Sequence, residues 1–217
     1  MGIRVIIADD HAVVRDGIKA MVARIAPDVS VVGEAATGFQ LLDLARNTPA
    51  DVYVVDISMP ELNGLESISR LLRLNAQAKI LVVSMHDDRN FIEKALTCGA
   101  KGYIVKDTAT EDIVNGIHSV SGGTYFLSPR ISKLLPNGFM NKLPLNGTKK
   151  IKSLLTRREK EILQLIAEGF TNKEVAKKLG MALNTAHVHR NNIMRKLNIH
   201  RHADLVRYAL KEGFTHL

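Results

Sequence analysis

The residues of this chain best placed to do chemistry are three carboxylates at the ends of two short apolar runs. Asp56 follows Val52–Val55 and leads into Ile-Ser-Met-Pro60, while Asp9 and Asp10 follow Ile3–Ala8. Runs of this length, bounded by turn-forming residues, read as buried strands. In an open parallel sheet, ligands bind beyond the carboxyl ends of the strands, which is where these acids would stand. Three neighbouring carboxylates repel one another unless they share a proton or a cation, and hard oxygen ligands suit Mg²⁺. Two further runs, 79–83 and Gly102–Val105, end on Ser84 and Lys106. With Asp56 as acceptor, Mg²⁺ on Asp9, Asp10 and Asp56, a hydroxyl from Ser84 and a cation from Lys106, the set forms a phosphoryl-transfer site. Such a reaction needs mainly positioning and charge neutralisation. Taken singly, Asp10 is a helix cap, Ser84 a turn residue and Lys106 a solvated charge; it is their convergence that carries the reading.

The elements that must position these groups follow from periodicity. Strands at Ile3–Ala8, Val29–Ala35, Val52–Val55, 79–83 and Gly102–Val105 alternate with helical patterns at about 12–25, 38–47, 65–74, 88–98 and 110–120. This alternation predicts an α/β doubly wound, five-stranded parallel sheet in one compact domain, residues 1–125. The loop after the first strand is Asp9-Asp10-His11 rather than a glycine-rich phosphate cradle, which counts against a flavin- or dinucleotide-binding module.

The chain has 217 residues and 46% hydrophobic content, enough for two modest cores. No apolar run is long enough to span a membrane and no secretory leader opens the sequence, so a cytoplasmic location is expected. The single cysteine, Cys98, reads as a small core hydrophobe. The net charge of +8 is unevenly spread: residues 1–125 carry 12 Lys/Arg and 16 Asp/Glu, residues 126–217 carry 18 and 6. Only the second half is therefore expected to meet a polyanion, with a merely solvated basic surface as the alternative.

Residues 126–150, rich in Pro, Gly and Asn after a possible short helix at 128–135, read as a linker, with Lys149, Lys150 and Lys152 as a basic flank. Beyond it, Thr156-Arg-Arg-Glu159 and Thr171-Asn-Lys-Glu174 are both capping boxes, and Gly169 and Gly180 are stop signals. Two further helices, about 183–197 and 203–211, complete a small all-α four-helix unit, residues 151–217. The third helix carries an outward stripe of Asn184, His187, Val188, Asn191 and Arg195 at spacings of three and four. Asn can bridge adenine, Val can touch a thymine methyl, and Arg195 with Arg190, Lys196 and Lys173 can hold phosphates. Ala186, Ile193 and Leu197 form the opposite, packing stripe.

On Asp9, Asp10, Asp56, Ser84 and Lys106, residues 1 to about 125 resemble the receiver domain of bacterial two-component response regulators. The resemblance implies a flavodoxin-like fold, Asp56 as phosphoacceptor, and Mg²⁺ on Asp9, Asp10, Asp56 and the backbone carbonyl of Ser58. It also implies Ser84, Lys106 and Tyr103 as phosphate and switch residues, with Tyr103 turning inward on phosphorylation; the ordinary reading of Tyr103 is a core aromatic. Asp107 stands where many receivers place proline, which puts their cis peptide in doubt. His86 is placed to tune access of water to an acyl phosphate, or is simply a loop histidine.

Residues 154–213 are similar to the LuxR-type helix-turn-helix of the NarL/FixJ subfamily, through Leu155-Thr-Arg-Arg-Glu-Lys-Glu-Ile-Leu163, Ile166-Ala-Glu-Gly169, Thr171-Asn-Lys-Glu-Val-Ala176, Thr185, His189-Arg190 and Asn192-Ile-Met-Arg-Lys-Leu197. Three positions depart from that pattern: Ala182 where relatives cap with Ser, Ala186 where they carry Val, and His187 where Lys is common. His187 then either carries a conditional charge, protonated beside a phosphate, or stays neutral and reads a base edge. The two resemblances imply a non-enzymatic regulator that accepts phosphate from a sensor histidine kinase and binds double-stranded DNA as a homodimer on activation, with no membrane partner. The charge asymmetry further suggests that the two domains touch when inactive and that receiver and reader compete for one face. A haloacid-dehalogenase-type phosphatase would need an aspartate two residues after Asp56, where Ser58 stands.

Overall fold

The computed structural model describes residues 2–107, 110–136, 138–140, 143 and 154–215. Most of the expected linker, including Lys149, Lys150 and Lys152, lies outside the described residues.

The first part is a doubly wound α/β layer structure. Its strands are β1 (Ile3–Ala8), β2 (Val29–Ala35), β3 (Val52–Val55), β4 (Lys79–Ser84), β5 (Gly102–Val105) and β6 (Phe126–Leu127). Helices α1 (Ala12–Ile25), α2 (Gly38–Asn47), α3 (Gly64–Leu74), α4 (Arg89–Cys98) and α5 (Thr110–Ser121) connect them, and α6 (Pro129–Ser132) follows. The strands are all parallel, in the order β2-β1-β3-β4-β5-β6.

Parallel sheets are covered on both faces, and the two-residue alternation of the strands sorts the core accordingly. Ile6, Ala8, Tyr53, Val55, Ile80, Val82, Tyr103 and Val105 face α2, α3 and α4. Val5, Ile7, Val52, Val54, Leu81, Val83 and Ile104 face α1 and α5. Register then fixes the chemistry-bearing ends. Ala8 pairs with Val55, and Asp56 N donates to Ala8 O at 2.8 Å, setting Asp9 beside Asp56. Ser84 pairs with Val105, and Lys106 N donates to Ser84 O at 2.9 Å.

The sheet has one strand more than the sequence predicts. Phe126 and Leu127 pair with Gly102 and Tyr103, and α6 places the fully buried Ile131 in the core. The first part therefore runs past residue 125, into what composition marks as linker. A two-residue strand is too short to show a period, so only its partner reveals it.

The second part is the expected four-helix unit: α7 (Arg157–Ala167), α8 (Asn172–Lys178), α9 (Leu183–Leu197) and α10 (His202–Glu212), around Ile162, Leu163, Ile166, Val175, Ala186, Ile193, Leu205 and Ala209. Both capping boxes form, through Thr156–Glu159 and Thr171–Glu174. Gly169 and Gly180 take positive φ of 92° and 60°, which glycine adopts without a Cβ penalty. Ala182 stands at the N-cap of α9 with no side-chain cap hydrogen bond, so the missing serine leaves a helix-start N–H without that partner.

Gly64, the first residue of α3, ties this architecture to the site. A Cβ there would overlap the Asp56 carbonyl oxygen and come within 2.8 Å of Ile57 Cα. Gly64→Ala is therefore expected to lower unfolding stability by about 1–3 kcal/mol, as forced overpacking does. Urea denaturation followed by circular dichroism would measure this, and an unchanged midpoint would mean that the β3–α3 loop yields freely.

Candidate functional site: an acidic crevice and an exposed basic helix

The carboxyl ends of β1, β3, β4 and β5 bring the predicted residues into one crevice. Asp9 and Asp56 are each only 2% exposed, and both reach the same ammonium: Lys106 Nζ lies 2.7 Å from Asp9 Oδ2 and 2.7 Å from Asp56 Oδ2. Burial pushes the Asp9 carboxyl up, only partly countered by Lys106. For Lys106 burial works against the charge, yet Asp56 and Asp9 outweigh it and hold the ammonium above its usual range.

One potential ligand atom from each of Asp9, Asp10, His11 and Asp56 lies within 4.8 Å of the others. His11 joins a cluster that the sequence argument limited to aspartates. Its Nδ1 is 2.8 Å from Asp10 Oδ1, but out of line for a hydrogen bond. Asp10 Oδ1 and Asp56 Oδ1 are buried acceptors without a hydrogen-bond donor. Orphaned buried carboxylate oxygens are costly, and a hard cation is the partner their chemistry fits.

The remaining crevice residues form a linked set. Ser84 is fully buried, and its Oγ accepts from His86 N at 3.4 Å. His86 Nε2 is 2.9 Å from Ser58 Oγ, and its ring stacks on Phe91 with centroids 4.2 Å apart. Tyr103 is fully buried and its hydroxyl donates to His86 O at 2.8 Å. The expected inward turn of Tyr103 therefore has no outward start in this conformation. Nor is His86 a bare loop histidine, since Ser58 and Phe91 hold its ring. The Lys106–Asp107 peptide is trans, and Asp107 accepts from Arg130 at 2.7 Å.

On α9, Asn184, Thr185, His187, Val188, Asn191 and Arg195 are exposed, Val188 by 50%, and Arg190 is half-buried. The first part of the chain leaves the predicted reading stripe uncovered. Lys173 on α8 is exposed as well. Several side chains on or beside the stripe are already engaged. Lys196 pairs with the buried Glu159 at 2.7 Å, Arg195 donates to Asn192 at 2.9 Å, Arg190 lies 3.3 Å from His202 Nδ1, and His187 Nδ1 lies 2.9 Å from Asn172 Nδ2. Lys196 is thus committed to the Thr156–Glu159 cap. Burial alone would raise the Glu159 carboxyl, but Lys196 and the cap together hold it below its usual range.

The two parts do touch, through residues that sequence reasoning missed. Gln164 on α7, 1% exposed, accepts from Asn63 N at 2.8 Å and donates from Nε2 to Met59 O at 2.9 Å. Glu168 accepts from Glu61 N at 3.2 Å, Lys178 pairs with Glu61 at 2.7 Å, and Lys160 with Glu66 at 3.2 Å. Arg70 bridges Glu66 and Glu161, and Lys94 pairs with Glu212 at 2.8 Å. Gly213 packs against the Phe91 ring with no room for a Cβ. The signal was in α7, where residues 161–166 are buried without a break, so the helix is covered all round and needs a second partner.

Removing the lysine would leave Asp9 and Asp56 facing one another in a buried crevice. Lys106→Ala is expected to destabilise the fold by about 3–5 kcal/mol in EDTA. Added Mg²⁺ should restore more thermal stability to this variant than to the wild type, because a cation again serves both carboxylates. Equal Mg²⁺-dependent melting shifts in the two proteins would contradict this.

Residues 5–118 match the family "response regulator receiver domain", and residues 153–209 match "bacterial regulatory proteins, luxR family". Among curated relatives, the oxygen regulatory protein NreC of Staphylococcus carnosus is 37% identical, over 96% of this chain and 97% of its own. The transcriptional regulatory protein MctR of Rhizobium johnstonii is 38% identical, over 98% and 95% respectively. A solved structure of two RcsB dimers bound to two parallel DNAs is 29% identical, with a TM-score of 0.60 over 98% of this chain and 99% of that one. No helix among the described residues is long and apolar enough to cross a membrane. A crevice of strand-end carboxylates around one lysine, followed by a capped four-helix unit and matched end to end by such relatives, places this chain among the NarL/FixJ-type response regulators, with a receiver domain and a LuxR-type DNA-binding domain.

Proposed function

We propose that this protein is a transcription regulator switched by phosphorylation of Asp56, with a sensor histidine kinase as donor and double-stranded DNA as target. The observation that carries the reading is the state of the Asp56 carboxylate. Its Oδ2 is held by Lys106 at 2.7 Å, while its Oδ1 is buried and without a donor. The Asp56 carboxylate is then the nucleophile. It forms a P–O bond to the incoming phosphoryl group as the P–N bond of the donor phosphohistidine breaks, and the leaving imidazole takes up a proton. Lys106 and Ser84 stand ready to stabilise the transferred group. Asp9, Asp10 and Asp56, with the Ser58 carbonyl that the family resemblance adds, would hold Mg²⁺, which neutralises charge on the phosphoryl oxygens when bound. The chemistry of this reading is the protein's own phosphorylation and dephosphorylation.

Residues 1–125, extended by β6 and α6, form the receiver, and residues 151–217 the DNA-binding domain. Activation releases the contact between them. Met59, Glu61 and Asn63, which α7 grips, lie three to seven residues beyond Asp56, so a phosphoryl group there must be accommodated by the loop that Gln164 clamps. While docked, the recognition helix is exposed but fixed in orientation to its own receiver. We propose that release and receiver dimerisation let two copies of α9 reach two half-sites. Lys173, Asn184, Thr185, His187, Val188, Arg190, Asn191 and Arg195 make the DNA contacts, and Lys196 contributes only if it leaves Glu159.

Three outcomes are expected. A small phosphodonor with Mg²⁺ adds one phosphate to the wild type by intact-mass analysis and none to Asp56→Asn; a wild-type rate in the variant would refute the site. DNA affinity should rise on phosphorylation, and equal affinity with and without phosphodonor would refute the switch. Gln164→Leu strips two buried backbone groups of their partner at about 1–3 kcal/mol each. It should therefore raise the unphosphorylated affinity part of the way towards that of the phosphorylated wild type, dimerisation supplying the rest, and an affinity no higher than that of the unphosphorylated wild type would refute the clamp.

A further inference from the structure

His187 stands on the exposed stripe of α9, and the sequence leaves open whether it meets DNA as a cation or as a neutral base reader. Its neighbour across the helix-turn-helix is Asn172, the first residue of α8, with Asn172 Nδ2 2.9 Å from His187 Nδ1. An amide nitrogen donates, so in this arrangement Nδ1 accepts and Nε2 is the ring nitrogen that carries the N–H. A second proton on Nδ1 would cost this hydrogen bond. The helices that carry this pair, α8 and α9, bring mostly cations. On α8, Lys173 and Lys177 are exposed cations, and Glu174 is engaged by Thr171 at 2.7 Å. On α9, Arg190 adds a further cation and His189 is half-buried. Among the described residues, His187 makes no ion pair with a carboxylate.

We propose that Asn172 is a specificity-determining positioning residue. It fixes His187 as a neutral tautomer whose Nε2–H donates to an acceptor on a major-groove base edge, namely purine N7, guanine O6 or thymine O4. This rests on the DNA-binding reading above and deepens it. Asn172 itself need not touch DNA. Its work is to turn a ring that could rotate about two side-chain bonds into a donor of fixed direction, and to keep it from becoming a point charge that would bind phosphate regardless of sequence. The conditional-charge reading of His187 is set aside accordingly.

The test uses the phosphorylated full-length protein and a library of random-sequence duplexes, from which wild type, Asn172→Ala, Asn172→Asp and His187→Gln are each used to enrich a motif. Affinities for the wild-type motif and for a scrambled duplex are then measured at pH 6 and pH 8. Asn172→Ala and His187→Gln should lose preference at the same single base pair, by about tenfold. For Asn172→Ala, scrambled-duplex affinity should stay within about twofold, showing that the fold and the phosphate contacts are intact. Wild-type and His187→Gln affinities should change in parallel between the two pH values. Asn172→Asp reverses the partner: its carboxylate accepts from Nδ1–H and favours the protonated ring. Its binding should therefore tighten at pH 6 and weaken at pH 8, where an unpaired carboxylate faces the phosphates. The proposal is overturned if Asn172→Ala keeps the wild-type base preference. It is equally overturned if wild-type affinity rises at pH 6 by an increment that His187→Gln abolishes, since that is the behaviour of an amide turned to present its oxygen to a charged ring. A wild type that enriches no motif would overturn the DNA-binding reading itself, an outcome distinct from a motif that enriches normally without Asn172.

Discussion

The receiver depends on one ammonium group between two carboxylates. Asp9 and Asp56 arrive on adjacent parallel strands with their side chains buried, an arrangement that like charges would oppose without a cation between them. Lys106, delivered by β5 on the other side of β4, supplies it at 2.7 Å to each. The bridge leaves the opposite oxygen of Asp56 unpartnered, so the interaction that stabilises the crevice is also what keeps it chemically open. A pair satisfied on all sides would be a structural ion pair and nothing more. Burial raises the cost of every charge in the crevice, and the same low dielectric strengthens each attraction between opposite charges there.

That crevice is mechanically close to the DNA-binding unit. The loop leaving Asp56 is held at Met59, Glu61 and Asn63 by side chains of α7, and the loop leaving Ser84 reaches Gly213 through His86 and Phe91. Gln164 uses its carbonyl as acceptor and its amide as donor against two backbone groups, a geometry that an apolar residue cannot imitate. Around this buried centre the ion pairs Lys178–Glu61 and Lys94–Glu212 are partly exposed and contribute little each, whereas Arg70 bridges the buried carboxylates of Glu66 and Glu161. Orientation therefore comes from the amide, the Arg70 bridge and the fit at Phe91 more than from the overall charge asymmetry of the two halves, although that asymmetry agrees with the pairing.

How much of this was legible beforehand follows from the range of each signal. Asp9, Asp10, Asp56, Ser84 and Lys106 could be placed together because each ends an apolar run, and parallel strands collect their ends on one edge. The capping boxes at Thr156 and Thr171 were equally local and formed as read. By contrast, β6 is defined only by its pairing with β5, and two residues carry no period. The Gln164 clamp joins positions 101 and 105 residues apart, and the sequence marks it only as a polar residue inside an apolar helix. Lys196 shows a further limit of local signals. Its charge and helix position suit a phosphate contact, but Glu159 across the domain holds it, a partner that no spacing on α9 announces. His187 is similar, since its Nδ1 lies 2.9 Å from the Asn172 amide, fifteen residues earlier on another helix, a neighbour that no spacing on α9 announces.

The central claim, that the chemical state of Asp56 controls the grip of α7 on the adjoining loop, is tested most directly by hydrogen–deuterium exchange on the full chain. Exchange would be followed with Mg²⁺ alone and with Mg²⁺ plus a small phosphodonor, using Asp56→Asn as control. The account predicts that phosphodonor reduces protection at residues 59–63 and 161–168 together, while protection along β1 and β3 is unchanged and the control does not respond. Undiminished protection of both segments in a protein shown by mass to be phosphorylated would contradict it.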